Sequence, residues 1–185
     1  MQLEALLLVK KPKEVRIWSR DEYKVKNYIS EVKKNHNLKV YFSQNVQELT
    51  ENSEIVITTT PSTKPLIKAE WLHPGLHITA MGSDAEHKNE IDPKIIKKAD
   101  LYVCDHQSQA ATLGELNHAI KAGLISEKKN FSEIGDIING LKNGRNNEKD
   151  VTICDLTGTG VQDTAIARYA FKKAKEKNLG FRILI

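Results

Sequence analysis

The amino-acid order predicts an α/β fold, and three observations carry that prediction. Apolar runs of strand length, such as residues 55–59 and 101–104, alternate with amphipathic stretches of helical spacing, such as residues 21–34. No internal repeat or low-complexity segment interrupts the alternation. With 39% hydrophobic and 28% charged residues over 185 positions, the composition is that of a globular chain. A domain of this size buries roughly 70% of the surface its unfolded chain exposes.

The elements follow in order. Residues 1–9 read as a helix, 14–19 as a strand, 21–34 as a helix opened by Asp21, 38–42 as a strand, 46–51 as a short helix and 55–59 as a strand. Pro61 and Pro65 mark a turn region, after which 76–80 reads as a strand. Asp92 before Pro93 fits an N-cap followed by proline at the first helical position. A strand is expected over 101–104, then a helix over 112–122 that Gly123 stops, and a second helical piece over 134–141. Beyond the loop 142–150 come a strand at 151–156, a long helix at 161–177 and a final strand at 181–185.

This order looks like a Rossmann domain read from its first helix onward, with 14–19 in the place of the second strand. The expected fold therefore lacks the first strand and the glycine-rich phosphate loop. In the strand order 3-2-1-4-5-6 the first strand is central, so the two halves of the sheet are expected to be separate. Residues 1–150 form a partial dinucleotide-binding domain in this reading. Residues 151–185 form a C-terminal strand-helix-strand.

Composition excludes several classes of function. Lys+Arg 28 against Asp+Glu 24 gives a net charge of +4, and the lysine pairs Lys10-Lys11, Lys33-Lys34, Lys97-Lys98 and Lys172-Lys173 are scattered. They read as solvated helix faces without aromatic interleaving, which argues against nucleic acid as a partner. Cys104 and Cys154 lie in apolar runs and read as small buried hydrophobes, which places the protein in a reducing cytoplasm. The first ten residues have neither the charged start nor the cleavage site of a signal peptide, and no stretch approaches the roughly 20 apolar residues that span a membrane. His73, His77 and His87 match no regular ligand spacing, so no metal site is expected.

The chemistry-bearing residues cluster after the strands, where an open parallel sheet delivers them to its ligand crevice. After residues 76–80 come Met81, Gly82 and Ser83, then Asp84 and Lys88, an acid and a base one helical turn apart. Glu86, His87 and Glu90 read as solvating neighbours. After residues 14–19, Ser19 stands where an acid would select NAD(H), and Arg20 follows with a guanidinium suited to a 2′-phosphate. NADP(H) is favoured, and the nearby Asp21 keeps NAD(H) open. Thr59, Thr60 and Pro61 offer hydroxyls and a fixed backbone suited to a ribose, although threonine and proline also end strands for purely structural reasons. Gly158-Thr-Gly160-Val-Gln-Asp163 follows a strand and opens a helix but carries Asp163 where a phosphate loop has its third glycine, and that charge would repel a pyrophosphate. Asp105 also follows a strand, lacks the Met-Gly-Ser lead-in, and reads as a position outside the site. Ala165, Ile166, Tyr169, Ala170 and Ala174 share one face of the last helix, a core or dimer face.

The segment Gly82-Ser-Asp84-Ala-Glu-His-Lys88 closely resembles the ornithine cyclodeaminase/mu-crystallin family, in particular its ectoine-utilisation and imine-reducing branches. The resemblance runs from about Gln2 to Gly180 and includes Thr58-Thr-Thr-Pro-Ser62, Gly114-Glu-Leu116 and Asp155-Leu-Thr-Gly158-Thr-Gly-Val-Gln-Asp163. It implies a cofactor-binding part of an NAD(P)-dependent enzyme acting on a small amino or imino acid, by imine reduction, oxidative deamination or ornithine cyclisation with ammonia loss. It further implies that Asp84 handles protons near the reacting carbon, that Lys88 lies beside the cofactor, and that Thr157-Gly158 approaches the nicotinamide end. The full-length family implies a homodimer and a substrate and dimerisation region outside this sequence, toward which residues 151–185 return, so the apolar face of the last helix is expected to be exposed here and prone to association. A non-catalytic dinucleotide- or ligand-binding protein of the mu-crystallin kind, and an inactive fragment, are the alternatives.

Overall fold

The computed structural model describes every residue except Arg182, Leu184 and Ile185. Its order is α1 (Gln2–Val9), β1 (Glu14–Ile17), α2 (Glu22–Asn35), β2 (Lys39–Phe42), α3 (Val46–Glu51), β3 (Ile55–Thr58) and β4 (His77–Ala80), followed by α4 (Lys94–Lys98) and β5 (Leu101–Cys104). The chain continues through α5 (Gln107–Ala110), α6 (Glu115–Lys121), β6 (Ser132–Glu133), α7 (Ile134–Ile138), β7 (Thr152–Asp155) and α8 (Gly160–Glu176). The strand expected at 181–185 falls largely on positions outside the described residues.

All strand pairs are parallel, and they form two sheets, β1-β2 and β3-β4-β7-β5-β6. The division is the one the element order predicts. β1 and β3 are unpaired edges, and the central position between them holds no strand among the described residues. β7 pairs with β4 on one side and β5 on the other, with Ile153 opposite both Ile78 and Tyr102. The sequence-based boundary at 150/151 thus falls just before a strand in the middle of the larger sheet.

Local chemistry explains the element ends. Asp21 Oδ1 accepts the Lys24 N–H and Asn45 Oδ1 accepts the Glu48 N–H, capping α2 and α3. Asp92 Oδ1 accepts the Lys94 N–H at 2.9 Å, with Pro93 already at helical dihedrals, as its position predicts. Gly123 leaves α6 with φ +68, a left-handed conformation natural to glycine. The helix expected over 112–122 starts late. Gly114 is extended, α6 begins only at Glu115, and a separate short helix, α5, precedes it. A side chain at Gly114 would run into the Asp155 carboxylate and Thr157, so the chain opens there and turns the Leu116 N–H toward Asp155.

The larger sheet carries the main core. Ile67, Leu76, Ile78, Ile91, Ile95, Leu116 and Ile153 are all fully or almost fully buried in one cluster, each contributing about 1.5–3 kcal/mol of apolar transfer free energy. The smaller unit is held by Val25 and Val32 of α2 with Val40 of β2. Arg16 of β1 reaches α3 by pairing with Glu48 at 3.3 Å. No helix among the described residues is long and apolar enough to cross a membrane. α8 leaves the sheet with no buried residue: Ile166 and Tyr169 of the apolar face read from its sequence are exposed, and so are Val161 and Phe171, which lie outside that set.

Three acids, Glu90, Glu115 and Asp155, are fully buried in the larger part of the structure, and burial raises the pKa of the last two. Asp155 accepts hydrogen bonds from the Tyr102 hydroxyl at 2.6 Å and the Leu116 N–H at 3.1 Å, while its Oδ1 has no partner. Burial pushes its carboxyl up to about 7. Glu115 accepts from the Glu90 N–H at 2.7 Å and the Asn89 amide at 2.6 Å, yet burial pushes it up to about 8 against those donors.

A folded-state value above the unfolded one means that the folded chain holds the proton more tightly. The resulting stabilisation is complete below the unfolded value and is lost as pH rises through the folded one. Raising the pH from about 6.5 to about 8.5 is therefore expected to lower the Tm of the purified chain by about 5 °C, as Asp155 and Glu115 ionise. The substitution Glu115→Gln should flatten that slope. A Tm that stays level or rises across this window, read by calorimetry, would contradict the assignment.

Candidate functional site

The sheet order lays the loops that follow the strands along one edge. Next to β1 lie Ser19 and Arg20; the loops after β3, β4 and β7 carry Thr59–Ser62, Met81–Ser83 and Thr157–Gly158 in turn. A cleft of about 230 Å³ lies between the first two, lined by Trp18, Ser19, Arg20, Thr59, Thr60 and Pro61 among others. Its volume is below the roughly 300–1,000 Å³ of whole small-molecule sites, so it suits one end of an extended ligand. Arg20 is exposed and makes no ion pair among the described residues. Asp21 is engaged elsewhere, capping α2 and pairing with Lys24 at 3.7 Å.

Glu90 holds the middle of the edge together. Its carboxylate is completely buried and accepts hydrogen bonds from the Thr58 hydroxyl at 2.6 Å, the Thr60 N–H at 2.5 Å and the Gly82 N–H at 2.7 Å. One side chain thus ties the exit of β3 to the exit of β4. A Cβ at Gly82 would overlap the Thr60 carbonyl and the Glu90 carboxyl, so glycine is required there by close approach. Glu90 is therefore not the solvating neighbour expected from the sequence. The Thr60 and Gly82 N–H groups face this carboxylate and are therefore not turned toward a ligand.

Asp84 and Lys88 do meet, with Lys88 Nζ 2.5 Å from Asp84 Oδ1. They meet across an irregular turn and not on the expected helix. The backbone groups that would build a helix have other partners: the Ser83 hydroxyl donates to the Lys88 carbonyl at 2.7 Å, and the Asn89 N–H donates to the Ser62 carbonyl at 2.8 Å. Lys88 is 23% exposed and Asp84 54%, so the acid faces open space while the base is largely covered.

The Thr157-Gly158 turn is fixed by Asp105. Asp105 Oδ2 accepts the N–H groups of Thr157 at 2.9 Å and Gly158 at 2.8 Å, and Oδ1 accepts the Thr157 hydroxyl at 3.0 Å. Gly158 has φ +79, which lets the chain swing out of β7 into α8. Thr159 and Gln162 then form a reciprocal capping box. Asp105, read from the sequence as lying outside the site, belongs to its framework. Glu90, Glu115 and Asp155 likewise hold loops in place without a local sequence pattern that marks them for it. Their nearest sequence signal is an acid directly beside an apolar residue, as in Glu90-Ile91 and Glu115-Leu116.

Comparison with known proteins agrees with this architecture. An uncharacterized cyclodeaminase of Sinorhizobium fredii is 49% identical over 180 residues, which is 97% of this chain and 54% of that protein. An archaeal alanine dehydrogenase dimer with bound NAD superposes with a TM-score of 0.92 at 38% identity, covering 100% of this chain and 56% of that one. The iminosuccinate reductase of Paracoccus denitrificans in complex with NAD+ gives a TM-score of 0.90 at 30% identity, again over 100% and 56%. The chain spans about half the length of the curated relatives it matches. Residues 1–178 match the ornithine cyclodeaminase/mu-crystallin family, and with relatives this similar over nearly all of its length, the chain belongs to that family.

Proposed function

We propose that this chain is the dinucleotide-binding part of an NAD(P)-dependent oxidoreductase that transfers hydride to or from the α-carbon of a small amino or imino acid. The observation that carries the reading is the alignment of strand ends along one edge of a parallel sheet, where open α/β folds bind their ligands. The residues that would hold the adenosine end are Ser19, Arg20, Thr59, Thr60 and Pro61, which surround the cleft. Those that would hold the nicotinamide end are Met81, Gly82, Ser83, Thr157 and Gly158, in the loops that follow the adjacent strands β4 and β7. When bound, the nicotinamide supplies the hydride chemistry. Relatives solved with NAD, NAD+ or NADH support a nicotinamide dinucleotide here.

Asp84 is the proposed acid-base group. Its exposed carboxylate takes a proton from the substrate nitrogen, or returns one to it, as amine and imine interconvert. Lys88, held against it, sets the carboxylate's orientation. NADP(H) is the proposed preference, because Ser19 offers no acid to a ribose hydroxyl, Arg20 is free to meet a phosphate, and Asp21 is occupied as a helix cap. The exposed apolar residues of α8 support a homodimer of the complete protein. A cytoplasmic setting fits the two free cysteines, whose thiols burial pushes up to about 12 and about 11.

Both residue roles can be tested in a chimaera in which this chain replaces the matching segment of the archaeal alanine dehydrogenase. Arg20→Ala is expected to weaken NADPH binding by about 1–3 kcal/mol and NADH binding far less, the loss of a charge-assisted phosphate contact. Titration calorimetry showing equal losses would remove Arg20 from that role. Asp84→Asn should cut turnover by at least about a hundredfold while dinucleotide affinity stays nearly constant. Retention of more than about a tenth of the activity would return Asp84 to the role of a surface ion pair.

A further inference from the structure

The loop carrying Asp84 and Lys88 is tethered a second time, from α6. The Lys88 carbonyl accepts two hydrogen bonds, from the Ser83 hydroxyl at 2.7 Å and from His118 Nε2 at 2.6 Å. A carbonyl only accepts, so this contact selects a ring with its proton on Nε2. Three residues further along α6, Lys121 pairs with Glu86 of the same loop at 2.7 Å. That pair is 55% and 66% exposed, and such pairs contribute little. The bond from His118 is partly buried and ends on the backbone of the residue whose ammonium meets Asp84. Two donors converging on one carbonyl hold the Lys88 backbone in place, and with it the origin from which the side chain reaches the acid.

We infer that His118 is the positioning residue of the Asp84–Lys88 pair, acting through the Lys88 carbonyl and not on the substrate. The inference deepens the proposed role of that pair and rests on it. Tethering to α6 gives this irregular loop an orientation that its own turn does not supply.

The test uses the purified chain and two measurements on the loop. One is hydrogen–deuterium exchange of the amides at 84–89; the other is the rate at which Lys88 is acylated by a soluble succinimidyl ester, followed by mass spectrometry. His118→Leu removes the donor, and both rates should rise by about fivefold, the equivalent of one net hydrogen bond. His118→Gln, which restores an N–H donor of similar reach, should stay within about twofold of the original chain. If His118→Leu also loosens β4 and β7, His118→Asn, polar but too short to reach, is judged by the same criterion. Unchanged rates in the donor-deleted variant would overturn the proposal, and so would a glutamine variant as labile as the leucine one. Neither measurement involves cofactor or turnover, so failure of the oxidoreductase reading, seen in the Asp84→Asn chimaera, is distinguishable from failure of the tether.

Discussion

The Glu90 carboxylate is the contact around which the candidate site is built. A buried charge is tolerated only when its lone pairs are filled, and here a hydroxyl and two backbone N–H groups fill them. Those three donors come from the ends of two neighbouring strands. The acid therefore converts two loops, each of which could take many conformations, into one rigid rim. Its own main chain is used as well: the Glu90 N–H goes to Glu115, and its carbonyl accepts the N–H groups of Leu66 and Ile67. Removing the carboxylate would leave three polar groups unsatisfied in the interior, a larger penalty than the loss of a single surface contact.

The same device recurs along the edge with different acids. Asp155 receives the first turn of α6 and the Tyr102 hydroxyl, Glu115 receives residues 89–91, and Asp105 receives the turn after β7. Each acid gathers backbone N–H groups from loops that lack a ladder to satisfy them. The site is thus assembled on main-chain hydrogen bonds to side chains beneath it. This leaves the side chains of Arg20, Thr59, Asp84 and Lys88 at the rim, where the proposed dinucleotide and substrate would meet them. It also explains the glycines: Gly82 and Gly114 sit where a carboxylate approaches the chain too closely for a Cβ.

The division of the sheet sets the limits of this arrangement. The five-stranded part has a continuous apolar core, whereas β1 and β2 rely on α2 and on the Arg16–Glu48 pair to α3. The cleft spans the two parts, with Ser19 and Arg20 on one and Thr59–Pro61 on the other. Its shape depends on how firmly the smaller part is held. Unpaired parallel edges at β1 and β3 leave main-chain groups there without a ladder partner, which is the usual reason such edges are covered or completed in open sheets.

The α/β class, the order of the strands and most element ends were legible in the amino-acid order alone, because local signals decide them. Asp21, Asn45 and Gly123 cap or stop helices by contacts within a few residues, and period-two burial marks β3 and β4 directly. The division of the sheet followed from the element order, and the meeting of Asp84 with Lys88 from their spacing. The route by which those two meet did not, since a helix was expected and a turn is found. Only the folded chain decided the roles of Glu90, Asp105, Glu115, Asp155 and His118. Apart from Gly82, eight positions from Glu90, the partners that give them those roles lie 24 to 53 positions away along the chain, as with Glu115 to Ile91 and Asp105 to Gly158. No periodicity encodes a hydrogen bond between loops that only parallel strand packing brings together. An acid beside an apolar residue looks the same in sequence whether it ends in solvent or under a glycine turn.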